Sequence, residues 1–182
     1  MRALYLGRFN PPHKGHIHAI EHIFNQPDID ELIILIGSGE KGYSTKNPFT
    51  GGERFEMLTA LVRKSFDLKK IFISSIPDIN RNTIWPANVI DLVPPFEVIF
   101  TNNPLVQQLF SKLANKEVRE IPLTNRSEYS GKKIRKMMIK GKNWKESIPE
   151  EVVELIDKYH GVERIQSVSQ TDEVEEIEHN KM

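Results

Sequence analysis

The chain has 182 residues, with 25 basic and 25 acidic side chains and no cysteine. This length suits one domain, and the balanced charge excludes a broad basic surface for nucleic acids or anionic membranes. The lack of cysteine excludes thiolate metal sites, redox pairs and cysteine nucleophiles. The sequence has no apolar run near the roughly 20 residues of a membrane-spanning helix, and we expect no cleavable signal at its start. We expect a soluble, cytoplasmic protein.

Short apolar runs alternate with amphipathic ones, which predicts strands alternating with helices. The predicted strands are Ala3–Gly7, Leu32–Ile36, Lys70–Ser75, Glu97–Phe100 and Val118–Leu123. The predicted helices run from about Gly15 to Asn25, from a capping box at Thr50–Glu53, and over Trp85–Leu92, Pro104–Leu113, Ser130–Ile139 and Glu150–Tyr159, the last capped by Ser147.

This order of elements predicts an α/β fold, a Rossmann-like doubly wound parallel sheet with helices on both faces. Ligands of such sheets bind at the carboxyl ends of the strands. From Val162 the apolar pattern weakens. We therefore predict one domain over residues 1–164 and a polar, acidic, frayed tail over residues 165–182.

The loop after the first strand combines features of a phosphate site. Gly7 and Arg8 follow the strand, and His13-Lys14-Gly15-His16 leads into the first helix. Histidines three residues apart lie on one side of a helix turn, and the amides and dipole at a helix start favour an anion. A zinc site would need a third ligand, which this stretch does not supply at suitable spacing. We predict that His13 and His16 bind phosphate.

A second motif, Ser130-Gly131-Lys132-Lys133-Ile134-Arg135, opens a late helix. First turns of helices favour acidic residues, so the two lysines each cost about 0.3–1 kcal/mol when exposed. A docked polyphosphate would compensate for this cost. Residues 126–146 carry eight basic and two acidic side chains, whereas the residues after Gly161 carry two basic and six acidic ones. The neutral total therefore conceals a basic patch suited to one triphosphate.

The His-x-Gly-His motif resembles the signature of the nucleotidyltransferase superfamily, and residues 130–135 resemble its triphosphate motif, which usually has Thr where Lys132 stands. Class I aminoacyl-tRNA synthetases carry a related motif, but this chain has no room for an anticodon-binding region. Three further segments, Lys46–Arg54, Asp78–Trp85 and Thr101–Val106, extend the resemblance in register from Met1 to about Arg164. Together they resemble the archaeal-type nicotinamide mononucleotide adenylyltransferases, which have the nucleotidyltransferase fold.

The resemblance implies transfer of AMP from ATP to nicotinamide mononucleotide, giving NAD and pyrophosphate by in-line attack without a covalent enzyme intermediate. It implies catalytic roles for His13, His16 and Arg135. The implied ATP-binding residues are Gly7, Arg8, Phe9, His13, Gly15, His16, Asn103, Ser130, Gly131, Lys132, Lys133 and Arg135. The implied mononucleotide-binding residues are Lys46, Phe49, Arg54, Ile79, Asn82 and Trp85, with Trp85 stacked on the nicotinamide ring.

The resemblance also implies Mg²⁺ that binds mainly through ATP and pyrophosphate, with no named protein ligand. It implies a homo-oligomer, with a hexamer among the options.

Two alternatives stay open at this point. The superfamily includes adenylyl- and cytidylyltransferases for other phosphorylated acceptors, such as pantetheine phosphate, FMN, and sugar or glycerol phosphates. A non-catalytic NAD or adenine-nucleotide sensor on the same fold is an alternative of a different class. Assays with each acceptor separate the transferases, and pyrophosphate release separates a transferase from a sensor.

Overall fold

The computed structural model describes residues 1–122 and 129–179, with residues 172–179 as main chain only. The strands are β1 (Arg2–Gly7), β2 (Glu31–Ile36), β3 (Ile71–Ser75), β4 (Val98–Phe100) and β5 (Glu117–Arg119). The helices are α1 (Lys14–Phe24), α2 (Gly51–Ser65), α3 (Trp85–Leu92), α4 (Pro104–Leu113), α5 (Gly131–Ile139), α6 (Glu150–Lys158) and α7 (Gly161–His179). Short 3₁₀ turns, Leu68–Lys70 and Lys145–Ser147, precede β3 and α6.

The strands form one parallel sheet in the order β3-β2-β1-β4-β5. At its centre, β1 pairs Gly7 with Ile36 of β2 and Tyr5 with Phe100 of β4. Because the strands are parallel, the loops that follow them all leave the same edge. The strand order reverses at β1, which opens a crevice at this edge between the loops after β1 and β4.

Helices cover both faces of the sheet, as the sequence predicted. Residues Leu32–Ile36 of β2 are all 0% exposed, and full burial of one such side chain contributes about 1.5–3 kcal/mol. Ile34 packs in the layer that contains α1, α2, α5, α6 and α7. Its neighbour Ile33 packs in the opposite layer, with α3 and α4. The continuous apolar run of β2 therefore reflects burial on two sides.

The predicted capping box at the start of α2 is present. Thr50 Oγ1 accepts a hydrogen bond from the Glu53 amide (3.2 Å), and the Glu53 carboxylate accepts one from the Thr50 amide (2.9 Å). The same carboxylate pairs with the Arg164 guanidinium of α7, at 2.7 and 2.8 Å. This bidentate pair attaches the start of α7 to the start of α2.

The fifth strand is shorter than the sequence predicted, because pairing between main chains stops at Arg119. Beyond it, the Asn102 side chain donates to the Ile121 carbonyl (2.7 Å) and accepts from the Ile121 amide (2.8 Å). A side chain thus replaces the main-chain ladder at this point. Leu123, the predicted end of this strand, lies outside the described residues.

The last two helices also differ from the sequence analysis. Ser147 does not cap α6, because it lies in the 3₁₀ turn and Pro149 is the residue before the helix. Part of the predicted tail is helical, since α7 continues to His179. Ile165 of α7 is 0% exposed, but few apolar residues follow it at helical spacing, so the sequence pattern missed this helix. The division between a domain over residues 1–164 and a tail stays a prediction.

Within the described ranges, none of the helices combines the length and the apolar character required to cross a lipid bilayer.

Candidate active site

Two cavities open side by side at the carboxyl ends of β1 and β4. The larger, about 680 Å³, is called here the tryptophan cavity, because Trp85 lies in its wall. The smaller, about 510 Å³, is the histidine cavity, with His13 and His16 in its wall. The residues common to both linings follow or end β1 and β4; they are Leu6, Gly7, Thr101 and Asn103. The cavities therefore adjoin at the crevice where the strand order reverses.

The histidine cavity holds His16 in one tautomer. The His13 amide donates a hydrogen bond to His16 Nδ1 (3.0 Å), and the two rings stack with centroids 3.6 Å apart. Burial, followed by the neighbouring His13, lowers the pKa of His16 well below its ordinary value. Because Nδ1 is the acceptor, the neutral ring carries its proton on Nε2. His16 is therefore an uncharged donor fixed in place before any ligand binds.

His13 is 8% exposed, and its Nδ1 is buried without a hydrogen-bond partner among the described residues. Burial lowers the pKa of His13 to about 4, and the charge of Arg135 acts in the same direction. An unsatisfied buried nitrogen of this kind costs about 1–3 kcal/mol. The rest of the ring lines the histidine cavity.

Phe9 and Gly15 support the two histidines by packing. The Phe9 side chain is 1% exposed, and its ring lies 4.7 Å from the His16 ring. A Cβ on Gly15 would lie 2.8 Å from Tyr129 Cβ and 3.1 Å from His13 Nδ1. Only a residue without a side chain lets both groups approach the start of α1 so closely.

Arg135 of α5 is 9% exposed and lies between two loops. Its Nε donates to the Thr45 carbonyl (3.1 Å), and its Nη1 donates to the Asn10 carbonyl (2.8 Å). Burial, followed by the charge of Arg8, lowers the pKa of Arg135 to about 10. The guanidinium therefore stays charged at neutral pH, and its electrostatic effect reaches His13.

The first turn of α5 matches the sequence prediction in its position and its charge. The helix begins at Gly131, directly after Ser130, and both Lys132 and Lys133 are exposed. Among the described residues, no amide of this turn donates a capping hydrogen bond to the Ser130 side chain. A Cβ on Gly131 would lie 3.1 Å from Arg135 Nη1. The amides, the lysines and the buried guanidinium are thus close together at one helix start.

The tryptophan cavity brings together three of the predicted mononucleotide-binding residues: Ile79, Asn82 and Trp85. Trp85 is the first residue of α3, and its ring meets the Phe110 ring edge to face, at 5.6 Å and 85°. Arg8 also lines this cavity. The cavity therefore combines a supported aromatic face with a cation, next to the wall that it shares with the histidine cavity.

Three other predicted mononucleotide-binding residues lie outside the linings of both cavities: Lys46, Phe49 and Arg54. Lys46 is exposed on the loop before α2, whereas Phe49 and Arg54 are 0% exposed. Phe49 packs in the core under the sheet. Direct contact between these side chains and a mononucleotide stays a prediction.

Four polar residues that shape the site were not assigned a role from the sequence. Ser38 Oγ donates to the Asp78 carboxylate, at 3.0 and 2.9 Å from its two oxygens, and Lys41 Nζ lies 2.5 Å from the same group. Asn10, 4% exposed, exchanges two 3.0 Å hydrogen bonds with the Phe49 main chain. Asp78 had a detectable signal, because it follows a predicted strand at the ligand-binding edge of the sheet.

Comparisons with known proteins show the family to which this chain belongs. Residues 4–137 match the cytidylyltransferase-like family. The nicotinamide-nucleotide adenylyltransferase of Thermoplasma volcanium is 43% identical over 172 residues, which are 94% of each chain. The protein of the same name from Methanococcus maripaludis is 44% identical over 176 residues, covering 97% of this chain and all of that one.

A solved structure from Francisella tularensis, a bifunctional NMN adenylyltransferase/ADP ribose pyrophosphatase complexed with AMP and a manganese ion, has a TM-score of 0.74 and 21% identity. The likeness covers 98% of this chain and 54% of that one. This chain thus spans about half the length of the bifunctional protein, and the match shows a common fold. On the near full-length matches at more than 40% identity, the chain belongs to the cytidylyltransferase-like family and, within it, to the nicotinamide-nucleotide adenylyltransferases.

Proposed function

We propose that this protein transfers AMP from ATP to nicotinamide mononucleotide and releases NAD and pyrophosphate. The observation that carries the proposal is the pair of adjoining cavities, one lined by His13 and His16 at the start of α1 and the other by Trp85. The two substrates must meet at one phosphorus atom. The shared wall at Gly7, Thr101 and Asn103 is where a ligand from each cavity would meet the other.

The mononucleotide occupies the tryptophan cavity in this proposal. A planar, positively charged nicotinamide ring gains about 0.5–2 kcal/mol from an aromatic face, and Trp85 offers the face that Phe110 holds in orientation. Ile79 and Asn82 complete the pocket. Arg8 lines the same cavity and supplies a cation for the mononucleotide phosphate.

The triphosphate of ATP lies at the starts of α1 and α5. His13 and His16 contact the α- and β-phosphates, and His16 donates from Nε2 as charge develops on the α-phosphate. Arg135, with Lys132 or Lys133, holds the β- and γ-phosphates that leave. The Ser130 hydroxyl and the amides of the first turn of α5 bind the same oxygens.

The reaction needs no nucleophilic side chain. A phosphate oxygen of the mononucleotide attacks the α-phosphorus of ATP, and the bond from that phosphorus to the bridging oxygen of pyrophosphate breaks in line. The attacking phosphate is largely ionised at neutral pH, so no general base is required. The chain contributes positioning and electrostatic stabilisation of the transition state.

A divalent metal enters with the nucleotide in this proposal. Among residues 1–122 and 129–171, whose side chains the structure describes, no three His, Asp or Glu side chains form a group that could hold a metal ion. Mg²⁺ keeps several waters and binds through substrate phosphates, which fits such a donor set. Bound to ATP, it supplies charge neutralisation for the leaving pyrophosphate. The manganese ion in the Francisella tularensis structure supports use of a divalent metal.

Steady-state assays with a panel of acceptors test the proposal. Pyrophosphate release from ATP should be fastest with nicotinamide mononucleotide and slower by orders of magnitude with pantetheine phosphate, FMN and glycerol phosphate. Binding of ATP and NAD without any pyrophosphate release would instead identify a sensor. The implied homo-oligomer and the cytoplasmic location stay predictions. Light scattering tests the oligomeric state, and cell fractionation tests the location.

A further inference from the structure

Arg54 of α2 is the largest side chain that the core buries completely. Its guanidinium has five N–H donors, and all five are used. Nε donates to the Thr50 carbonyl (3.1 Å). Nη1 donates to the carbonyls of Arg8 and Gly37, both at 2.9 Å. Nη2 donates to those of Ser38 (2.8 Å) and Lys41 (3.1 Å).

All five acceptors are main-chain oxygens, so no carboxylate neutralises this buried charge directly. Burial lowers the pKa of Arg54, but an arginine keeps its proton in a protein. A charge held in this way costs desolvation energy that only a full set of hydrogen bonds offsets. Burial of the Arg54 guanidinium therefore costs stability, and it lies at the edge of the sheet where ligands bind.

Three of the five carbonyls belong to residues that line the tryptophan cavity. Arg8 follows β1, and Gly37 and Ser38 follow β2; all three line that cavity. Ser38 has a φ of 53°, in the left-handed region that a serine rarely adopts. Two hydrogen bonds from Arg54 and a Lys41 amide bond to the Ser38 carbonyl (3.0 Å) hold this turn.

The same turn carries the side chains that hold Asp78. Ser38 Oγ donates to the Asp78 carboxylate, and Lys41 Nζ pairs with it at 2.5 Å. Asp78 lines the tryptophan cavity. A chain of contacts therefore runs from the buried guanidinium, through residues 38–41, to a carboxylate in the cavity wall.

We propose that Arg54 is a positioning residue for the acceptor site. It touches neither substrate; it fixes the ends of β1 and β2 and the turn 38–41 through their carbonyl oxygens, and so sets the shape of the cavity that receives the mononucleotide. The inference rests on the proposed function. It also gives a role to a residue that was predicted to contact the mononucleotide but is fully buried outside both cavity linings.

Lysine in place of Arg54 keeps the charge but has three donors on a tetrahedral ammonium, which cannot reach five carbonyls set around a planar fork. Arg54→Lys should raise the KM for nicotinamide mononucleotide by about tenfold or more and leave the KM for ATP within about twofold. Met57→Ala is the matched control, because Met57 is a buried residue of the same helix on the core side. Met57→Ala should lower the melting temperature and change the KM values for ATP and nicotinamide mononucleotide by similar factors.

An equal rise in both KM values for Arg54→Lys would overturn the proposal. So would a Met57→Ala variant in which the KM for nicotinamide mononucleotide rises about tenfold while the KM for ATP does not. If Arg54→Lys does not fold, Ser38→Ala tests the same path, because it keeps the guanidinium and removes the hydroxyl that holds Asp78. An unchanged KM for the mononucleotide in Ser38→Ala would then contradict it. A wild-type protein that makes no NAD would refute the proposed function, whereas a negative result with the variants alone would refute only this inference.

Discussion

Replacement of His16 by alanine removes the group that the proposed mechanism needs most. In the folded protein this ring is neutral, accepts a 3.0 Å hydrogen bond from the His13 amide at Nδ1, and presents Nε2–H as a donor. Its orientation is fixed by stacking on His13 at 3.6 Å and by contact with Phe9 at 4.7 Å. It is therefore a donor organised in advance for charge that develops on the α-phosphate.

Loss of one such preorganised donor typically costs about 2.7–4 kcal/mol in the transition state, or about 10²–10³ in kcat. Because the donor acts mainly as charge develops, we expect kcat for His16→Ala to fall by about that factor, with both KM values changed by less than about threefold. The assay follows NAD formation from ATP, Mg²⁺ and nicotinamide mononucleotide, coupled to an NAD-dependent dehydrogenase.

His22→Ala is the control, because His22 is a partly buried histidine of the same helix, in contact with Gln26 and outside both cavity linings. Its kcat should match that of the wild type. A decrease of less than about tenfold for His16→Ala, or an equal decrease for both variants, would refute a transition-state role for His16.

Three further predictions follow from individual contacts. Trp85→Ala should raise the KM for the mononucleotide by about 2- to 30-fold, the range of a lost cation–π contact, and equal changes for ATP would remove Trp85 from the acceptor pocket. The pKa of His13 is near 4 in the folded protein and 6.5 in the unfolded chain. Between pH 6.5 and pH 4 the unfolded chain therefore binds more protons, and the free energy of unfolding decreases as the pH falls through this range. His13 alone should contribute about 3 kcal/mol to this loss; urea unfolding near pH 7 and near pH 4 measures it, and an equal loss in His13→Asn would contradict it. Thr50→Ala should lower the free energy of unfolding by about 1 kcal/mol through loss of the capping box and leave kcat unchanged; a stability equal to wild type would show that the box contributes nothing.

The alternation of apolar and amphipathic segments was sufficient to predict the doubly wound sheet and the edge at which the site lies. The reason is local: a continuous run such as Leu32–Ile36 indicates burial on both faces of a strand, and the parallel order then places every following loop at one edge. The paired histidines and the basic first turn of α5 could be located for a similar reason, since their spacing and their positions at helix starts are local features of the sequence.

Residues whose role depends on distant partners could not be predicted in this way. The sequence pattern does not reveal that Arg54 meets carbonyls of residues up to 46 positions away, or that Ser38 holds Asp78 across 40 positions. An arginine at a helix start beside a predicted phosphate-binding loop suggests a ligand contact, and the sequence does not show that its side chain is fully buried against main-chain carbonyls. The start of α7 was missed because one of its attachments is an ion pair between Arg164 and Glu53, and few apolar residues follow the buried Ile165 at helical spacing.

The stoichiometry of products from the purified protein with ATP, Mg²⁺ and nicotinamide mononucleotide tests the proposed adenylyl transfer most directly. We expect NAD and pyrophosphate to appear in equal amounts and at equal rates, and neither to form when either substrate is omitted. Pyrophosphate without NAD, or binding of both nucleotides with neither product, would contradict it.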